Sequence, residues 1–186
     1  MKKQLGLATA AATLAAGIAF APLNDGSAQA ATCSTVYWGS SAKTYSPMST
    51  RTVQNLRVGK HTCYDRLVID LSRGSRNTGY DVRYVSSAVV DPSGQVLRLR
   101  GNAVLQVVAK SPAYTNNGTS TFRPANRMEV RNVSGFNNFR QIAYGASFEG
   151  QTQFLVGVRS RLPMRVSLLN NTDGGQRLVV DVYNHW

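Results

Sequence analysis

Beyond residue 61, apolar and polar positions alternate with a period of two. Leu67, Ile69 and Leu71 alternate with Arg66, Val68 and Asp70; Tyr80, Val82 and Tyr84 alternate with Asp81 and Arg83. Leu97 and Leu99 likewise alternate with Arg98 and Arg100. This period sends successive side chains to opposite faces and marks strands with one buried face. It predicts strands over residues 66–72, 80–85, 95–100, 104–109, 127–133, 141–147, 153–159, 164–169 and 177–184. Asp91-Pro92-Ser93-Gly94 supplies a turn, with proline fixing φ and glycine free to turn left-handed. Gly101-Asn102 turns the chain again, and residues 170–175 (N-N-T-D-G-G) join the last two strands as a hairpin. About eight short strands with regular turns predict an all-β sandwich or barrel. Its core should hold Leu67, Ile69, Leu71, Val82, Leu97, Leu99, Val156, Val166, Val180 and Val182.

The chain before residue 61 reads differently. Lys2 and Lys3 precede an apolar run over residues 5–21, and Ala28-Gln29-Ala30 offers the small-x-small text of a cleavage site. Residues 1–30 are expected to be a secretory signal peptide. The run is short for a membrane span and lacks a stop-transfer flank, so no transmembrane segment is expected. Residues 31–60, rich in Ser, Thr and Tyr and weakly patterned, are expected to form an irregular N-terminal arm. Residues 61–186 form the predicted β domain. Residues 111–126 make a long polar loop, of a length that is often functional or mobile.

One text occurs twice. Arg66-Leu67-Val68-Ile69-Asp70-Leu71 and Arg177-Leu178-Val179-Val180-Asp181-Val182 follow one template near the two ends of the domain. Two similar halves around a pseudo-dyad are one reading of this echo; an accidental match of common strand text is the other.

Charge and cysteines narrow the setting. The chain has 21 Lys and Arg against nine Asp and Glu, a formal charge of +12. Loss of Lys2, Lys3 and Asp25 with a leader leaves +11, almost all of it arginine. A basic exported domain is drawn to anionic polymers such as those of the cell envelope. Nucleic acid is not expected as a physiological partner outside the cell. Cys33 and Cys63 most simply form one disulfide in an oxidising compartment. It would tie the arm to the first core strand and stabilise by roughly 3–4 kcal/mol in the chain-entropy picture.

The catalytic inventory is small. There are two histidines, His61 and His185. No nucleophile elbow, Gly-rich phosphate loop, dinucleotide fingerprint or metal-ligand cluster is found. Asp70 and Asp181 could form a carboxylate pair if their strands are neighbours. Arg66 and Arg177 on their face would hold both ionised and remove the general acid. No catalytic residues, cofactor or metal are therefore expected.

The chain also resembles a known family. Residues 61–71 (H-T-C-Y-D-R-L-V-I-D-L), 79–85 (G-Y-D-V-R-Y-V) and 101–107 (G-N-A-V-L-Q-V) resemble the AMIN-like domain of actinobacterial secreted proteins. So do residues 148–152, 157–159, 162–166 and 177–182. The resemblance implies a compact β-sandwich of two packed sheets, often with internal symmetry. It also implies a role in targeting to the envelope by binding peptidoglycan or associated wall polymers, without catalysis. The candidate ligand-binding residues are Arg66, Asp70, Arg159, Arg161, Arg165, Arg177, Asp181 and Tyr183. A face of solvated cross-strand ion pairs is an equally open reading of the same residues. The alternative function is a secreted protease inhibitor, presenting the 111–126 loop, or another protein-binding module; a hydrolase stands behind both.

Overall fold

The computed structural model describes residues 33–186, so the expected signal peptide lies outside the described residues. Eleven strands form: β1 (Lys43–Tyr45), β2 (Val53–Lys60), β3 (Tyr64–Leu71), β4 (Gly79–Val85), β5 (Ala88–Val90) and β6 (Gln95–Leu97). They continue with β7 (Ala103–Lys110), β8 (Phe139–Phe148), β9 (Gln151–Val158), β10 (Met164–Asn170) and β11 (Gln176–Tyr183). No helix occurs among the described residues. A five-stranded sheet runs β1-β4-β7-β9-β8 and a four-stranded sheet β10-β11-β3-β2, all pairs antiparallel. Hairpin β5–β6 is a separate two-stranded ribbon. The predicted all-β sandwich is the observed fold.

The inner faces carry the alternating apolar residues. Leu67, Ile69 and Leu71 of β3 and Leu178, Val180 and Val182 of β11 are buried in one cluster. They pack there with Val82, Leu105, Val107, Phe154 and Val156 of the other sheet. Val166 is only partly buried against this cluster. Leu97 and Leu99 are not in it. They pack into a second, smaller cluster with Ala88, Val90, Ala143 and Leu155, where the β5–β6 ribbon covers part of the outer face of the five-stranded sheet. The turn between β5 and β6 is Asp91-Pro92-Ser93-Gly94, and Gly94 takes φ +69°.

Two expectations are corrected. Residues 31–60 are not irregular throughout: β1 pairs with β4, and β2 is an edge of the four-stranded sheet with Val53 and Leu56 fully buried. The register of β2 shifts between Val53 and Asn55, and this bulge interrupts the period-two text that would have marked the strand. Residues 127–133 are not a strand. Two backbone bonds, Val130 N to Ile142 O at 2.9 Å and Tyr144 N to Arg127 O at 2.7 Å, hold this stretch beside β8 without a ladder.

The repeated text sits at the centre of the four-stranded sheet. The two copies are neighbouring antiparallel strands, with Val68 opposite Val179, Arg66 opposite Asp181 and Asp70 opposite Arg177. Their hairpin partners β2 and β10 occupy the two edges. The halves related by the local dyad are thus hairpins β2–β3 and β10–β11.

Candidate functional site

The outer face of the four-stranded sheet holds most of the predicted site residues, and the local register decides their partners. Alternation places Tyr64, Arg66, Val68 and Asp70 of β3 on this face, beside Tyr183, Asp181, Val179 and Arg177 of β11. Arg66 chelates Asp181 with Nε at 2.6 Å and a terminal nitrogen at 2.9 Å. Arg165 of β10 donates Nε to the same carboxylate at 2.8 Å. The Asp181 side chain is 2% exposed, held by a charge-assisted fork from Arg66 and a single charge-assisted bond from Arg165. The hydrogen bond to Asp181 raises the Arg66 guanidinium above its ordinary value.

An aromatic layer covers this end of the sheet. The disulfide Cys33–Cys63, with Cα atoms 5.4 Å apart, anchors the segment that carries Trp38. The Arg165 guanidinium lies 4.3 Å from the Trp38 ring centre, and that of Arg66 lies 5.1 Å from Tyr64. Trp38 meets Tyr183 edge to face at 5.5 Å. Tyr183 is buried and its hydroxyl donates to the Ser34 carbonyl. Met164 N donates to Gly39 O at 2.8 Å, and Arg161 Nε donates to Ser40 Oγ at 3.0 Å. The segment thus lies against Arg165 and Tyr183 and is held there by backbone, side-chain and covalent ties.

The other predicted residues sit apart from that cluster. Arg159 donates to the Asn184 carbonyl at 2.6 Å and ties the chain end to β9. Asp70 accepts from Arg57 at 2.7 and 2.6 Å instead of from Arg177, its partner in register. Arg177 is half-buried, and its Nε has no hydrogen-bond partner among the described residues. The loop over residues 111–126 is anchored by Phe122, which packs against Tyr144 and Phe154. Its exposed tip closes through Thr115 N to Thr119 O at 2.8 Å. His61 stacks on Tyr64 at 4.4 Å.

A second candidate site was not found from the sequence. On the outer face of the five-stranded sheet, beside the β5–β6 turn, lies a groove of about 430 Å³. Gln106 and Val108 of β7 and Gln153 of β9 line it, together with Asp81 of β4, Asp91 of the turn and Phe148 and Glu149 at the end of β8. Gln153, 4% exposed, organises the groove. Its Nε2 donates to Val89 O at 3.0 Å, Asp91 Oδ2 at 3.1 Å and Gln106 Oε1 at 3.3 Å. The only available signal was glutamine at outward-facing strand positions, which reads as ordinary solvated surface.

Two buried polar residues also escaped notice. Asp65, fully buried, accepts from the backbone N–H groups of Asn137, Asn138 and Phe139 at 3.4, 2.5 and 3.0 Å. Arg51, 5% exposed, donates to the carbonyls of Arg76, Ser72, Gly174 and Gly74 and gathers three loops.

Among the described residues no group of three or more His, Cys, Asp or Glu is placed to hold a metal ion. No helix among them is long and apolar enough to cross a membrane. No curated protein matches the chain. The AMIN-like domain matches residues 51–184, which run from the clamping Arg51 through both copies of the repeated strand to the last residue of the buried sheet end. With nearly three quarters of its length inside that match, the chain belongs to the AMIN-like domain family.

Proposed function

We propose that this is an exported, non-catalytic module that binds the anionic cell wall, peptidoglycan or its associated polymers, chiefly through arginine charge. The observation that carries the reading is the charge of a chain whose family is cell-wall-related: +12 in full, and +11 once residues 1–30 are removed on export. A field of that sign raises the local concentration of a polyanion and speeds its capture. The Arg66–Asp181–Arg165 cluster fits a rigid scaffold better than an active centre, because its buried carboxylate is gripped by two cations and one of them, Arg165, stacks on Trp38. The exposed arginines outside it, among them Arg76, Arg98 and Arg123, are free to meet a polymer. Arg161 and Arg177, which reach the surface at the two ends of the same sheet, would add to that contact.

Incubation of the disulfide-bonded protein with purified sacculi tests both halves of this reading. The protein should pellet with the sacculi and release no soluble muropeptides. Protein left in the supernatant at low salt removes the binding claim; released fragments remove the claim that there is no catalysis.

A further inference from the structure

We propose that the groove on the outer face of the five-stranded sheet is a saccharide site that takes a segment of neutral N-acetylated glycan strand. Assigning that glycan to the wall rests on the reading above; the site itself rests on its own chemistry.

Its floor is made of amides. Gln153 is spent inside the protein: its Oε1 accepts from Asp91 N at 3.2 Å, and its Nε2 donates to Val89 O at 3.0 Å, Asp91 Oδ2 at 3.1 Å and Gln106 Oε1 at 3.3 Å. Gln106, held by that last bond, keeps its own side-chain NH2 as a donor, and the groove's carboxylates accept, a combination that suits sugar hydroxyls and acetamido groups. The floor is also preorganised, because Gln153 is bonded to the β5–β6 turn at Val89 and Asp91. Gly145 leaves room for it: a Cβ there would come within 2.3 Å of Gln153 Oε1. The rim supplies an apolar plate. Phe148 is 49% exposed and lines the groove beside Gln151, its partner in register. A half-exposed ring over an amide floor offers the C–H face of a pyranose a surface to stack on.

Charge separates this site from the rest of the molecule. Asp81, Asp91 and Glu149 line the groove against one cation, Lys110. A polyanion is drawn to the basic surface elsewhere and turned away here. An ammonium ligand fits less well than a hydroxyl, because two of the carboxylates already have partners. Arg83 pairs with Asp81, and Gln153 donates to Asp91. Glu149 adds a carboxylate at the groove's edge, placed there by the two-residue turn between β8 and β9, which holds Glu149 at φ +47° and Gly150 at φ +75°.

The test is a chemical-shift titration of the disulfide-bonded protein with the tetramer of N-acetylglucosamine, followed by the Phe148→Ala, Gln106→Ala and Arg57→Ala variants. Shifts should gather around Asp81, Gln106, Phe148 and Gln153. Phe148→Ala should weaken binding roughly fivefold to tenfold, the effect of losing one stacked ring. Gln106→Ala should weaken it as well, whereas Arg57→Ala, on the opposite sheet, should leave it unchanged. No shifts in the groove up to about 20 mM tetramer, a range that would register even millimolar affinity, would overturn the proposal. So would an affinity indifferent to both groove variants. A lysine-containing tripeptide that moves these resonances while the tetramer does not would also overturn it, in favour of an amine site. Tetramer binding without sacculus binding would keep the groove and remove the wall reading; the reverse outcome would keep the wall reading and remove the groove.

Discussion

Arg66 and Asp181 come from the two copies of one strand text, and the arginine of the first copy is the countercharge of the aspartate of the second. Antiparallel pairing about Val68 and Val179 sets the arginine of the first copy against the aspartate of the second, with bonds of 2.6 and 2.9 Å. The dyad-related pair, Asp70 and Arg177, does not repeat this contact, because Arg57 of the edge strand takes Asp70.

This asymmetry makes a stability prediction. Asp181→Ala leaves Arg66 and Arg165 without their shared carboxylate under the Trp38 layer and should cost about 2–3 kcal/mol, because both arginines still reach water. Asp70→Ala breaks a solvated pair, in which the Arg57 side chain is 50% exposed, and should cost about 0–1 kcal/mol. Urea unfolding of the two variants checks the order; equal losses would contradict it.

The covalent tie can be tested in the same way. Intact-mass measurement after alkylation should show no free thiol in the oxidised protein. Replacing Cys33 and Cys63 by serine should cost roughly 3–4 kcal/mol. It should also shift tryptophan emission to the red as Trp38 leaves the Arg165 guanidinium. Unchanged emission would mean that the hydrogen bonds of residues 34–40 hold the segment without the disulfide.

Core and buried polar sites predict larger effects. Ile69 and Leu178 face each other across β3 and β11, and both are fully buried. Truncating either to alanine should cost about 2–4 kcal/mol. Asp65→Ala should cost a comparable amount, about 2–4 kcal/mol, because three backbone donors lose their acceptor inside the protein. Differential scanning calorimetry would register each as a lowered Tm.

Alkaline pH should also destabilise the fold. Burial raises the Tyr84 hydroxyl above the ordinary tyrosine value, an effect partly offset by its bond to the Leu162 carbonyl and by Arg161. Burial raises Tyr144 too. A group that holds its proton more tightly when folded contributes stability that is complete below its unfolded value, about 10, and is lost as pH rises beyond it. Stability should therefore fall above about pH 10, and less steeply in Tyr84→Phe. That variant should also be about 1 kcal/mol less stable at neutral pH, since the hydroxyl both donates to Leu162 O and accepts from Leu162 N. An identical alkaline slope in the variant would contradict the assignment.

What could be read in the sequence followed local periodicity. β3 and β11 were legible because Leu67, Ile69 and Leu71, and likewise Leu178, Val180 and Val182, alternate without interruption. β2 was hidden by a bulge that puts Val53 and Leu56 on one face although they are three residues apart. The 127–133 stretch reads as a strand but buries Val130 and Val133 from irregular chain. Of the candidate residues, periodicity correctly placed Arg66, Asp70, Arg177 and Asp181 on one face. It could not show Trp38 lying over Arg165, or Arg57 displacing Arg177 at Asp70, because those contacts depend on strand order. The groove depends on strand order as well, since β4, β7, β9 and β8 become neighbours only in the folded sheet.

If arginine charge holds this module on the wall, its co-sedimentation with sacculi must depend steeply on salt. Exposed charges interact over about 30 Å at 0.01 M ionic strength and about 3 Å at 1 M. Binding should be strong at the low end and largely lost at the high end. Replacing the exposed Arg76, Arg98 and Arg123 together by alanine should move the release point to lower salt. Co-sedimentation that is absent at low salt, or that persists unchanged across the whole range in both proteins, would contradict the claim.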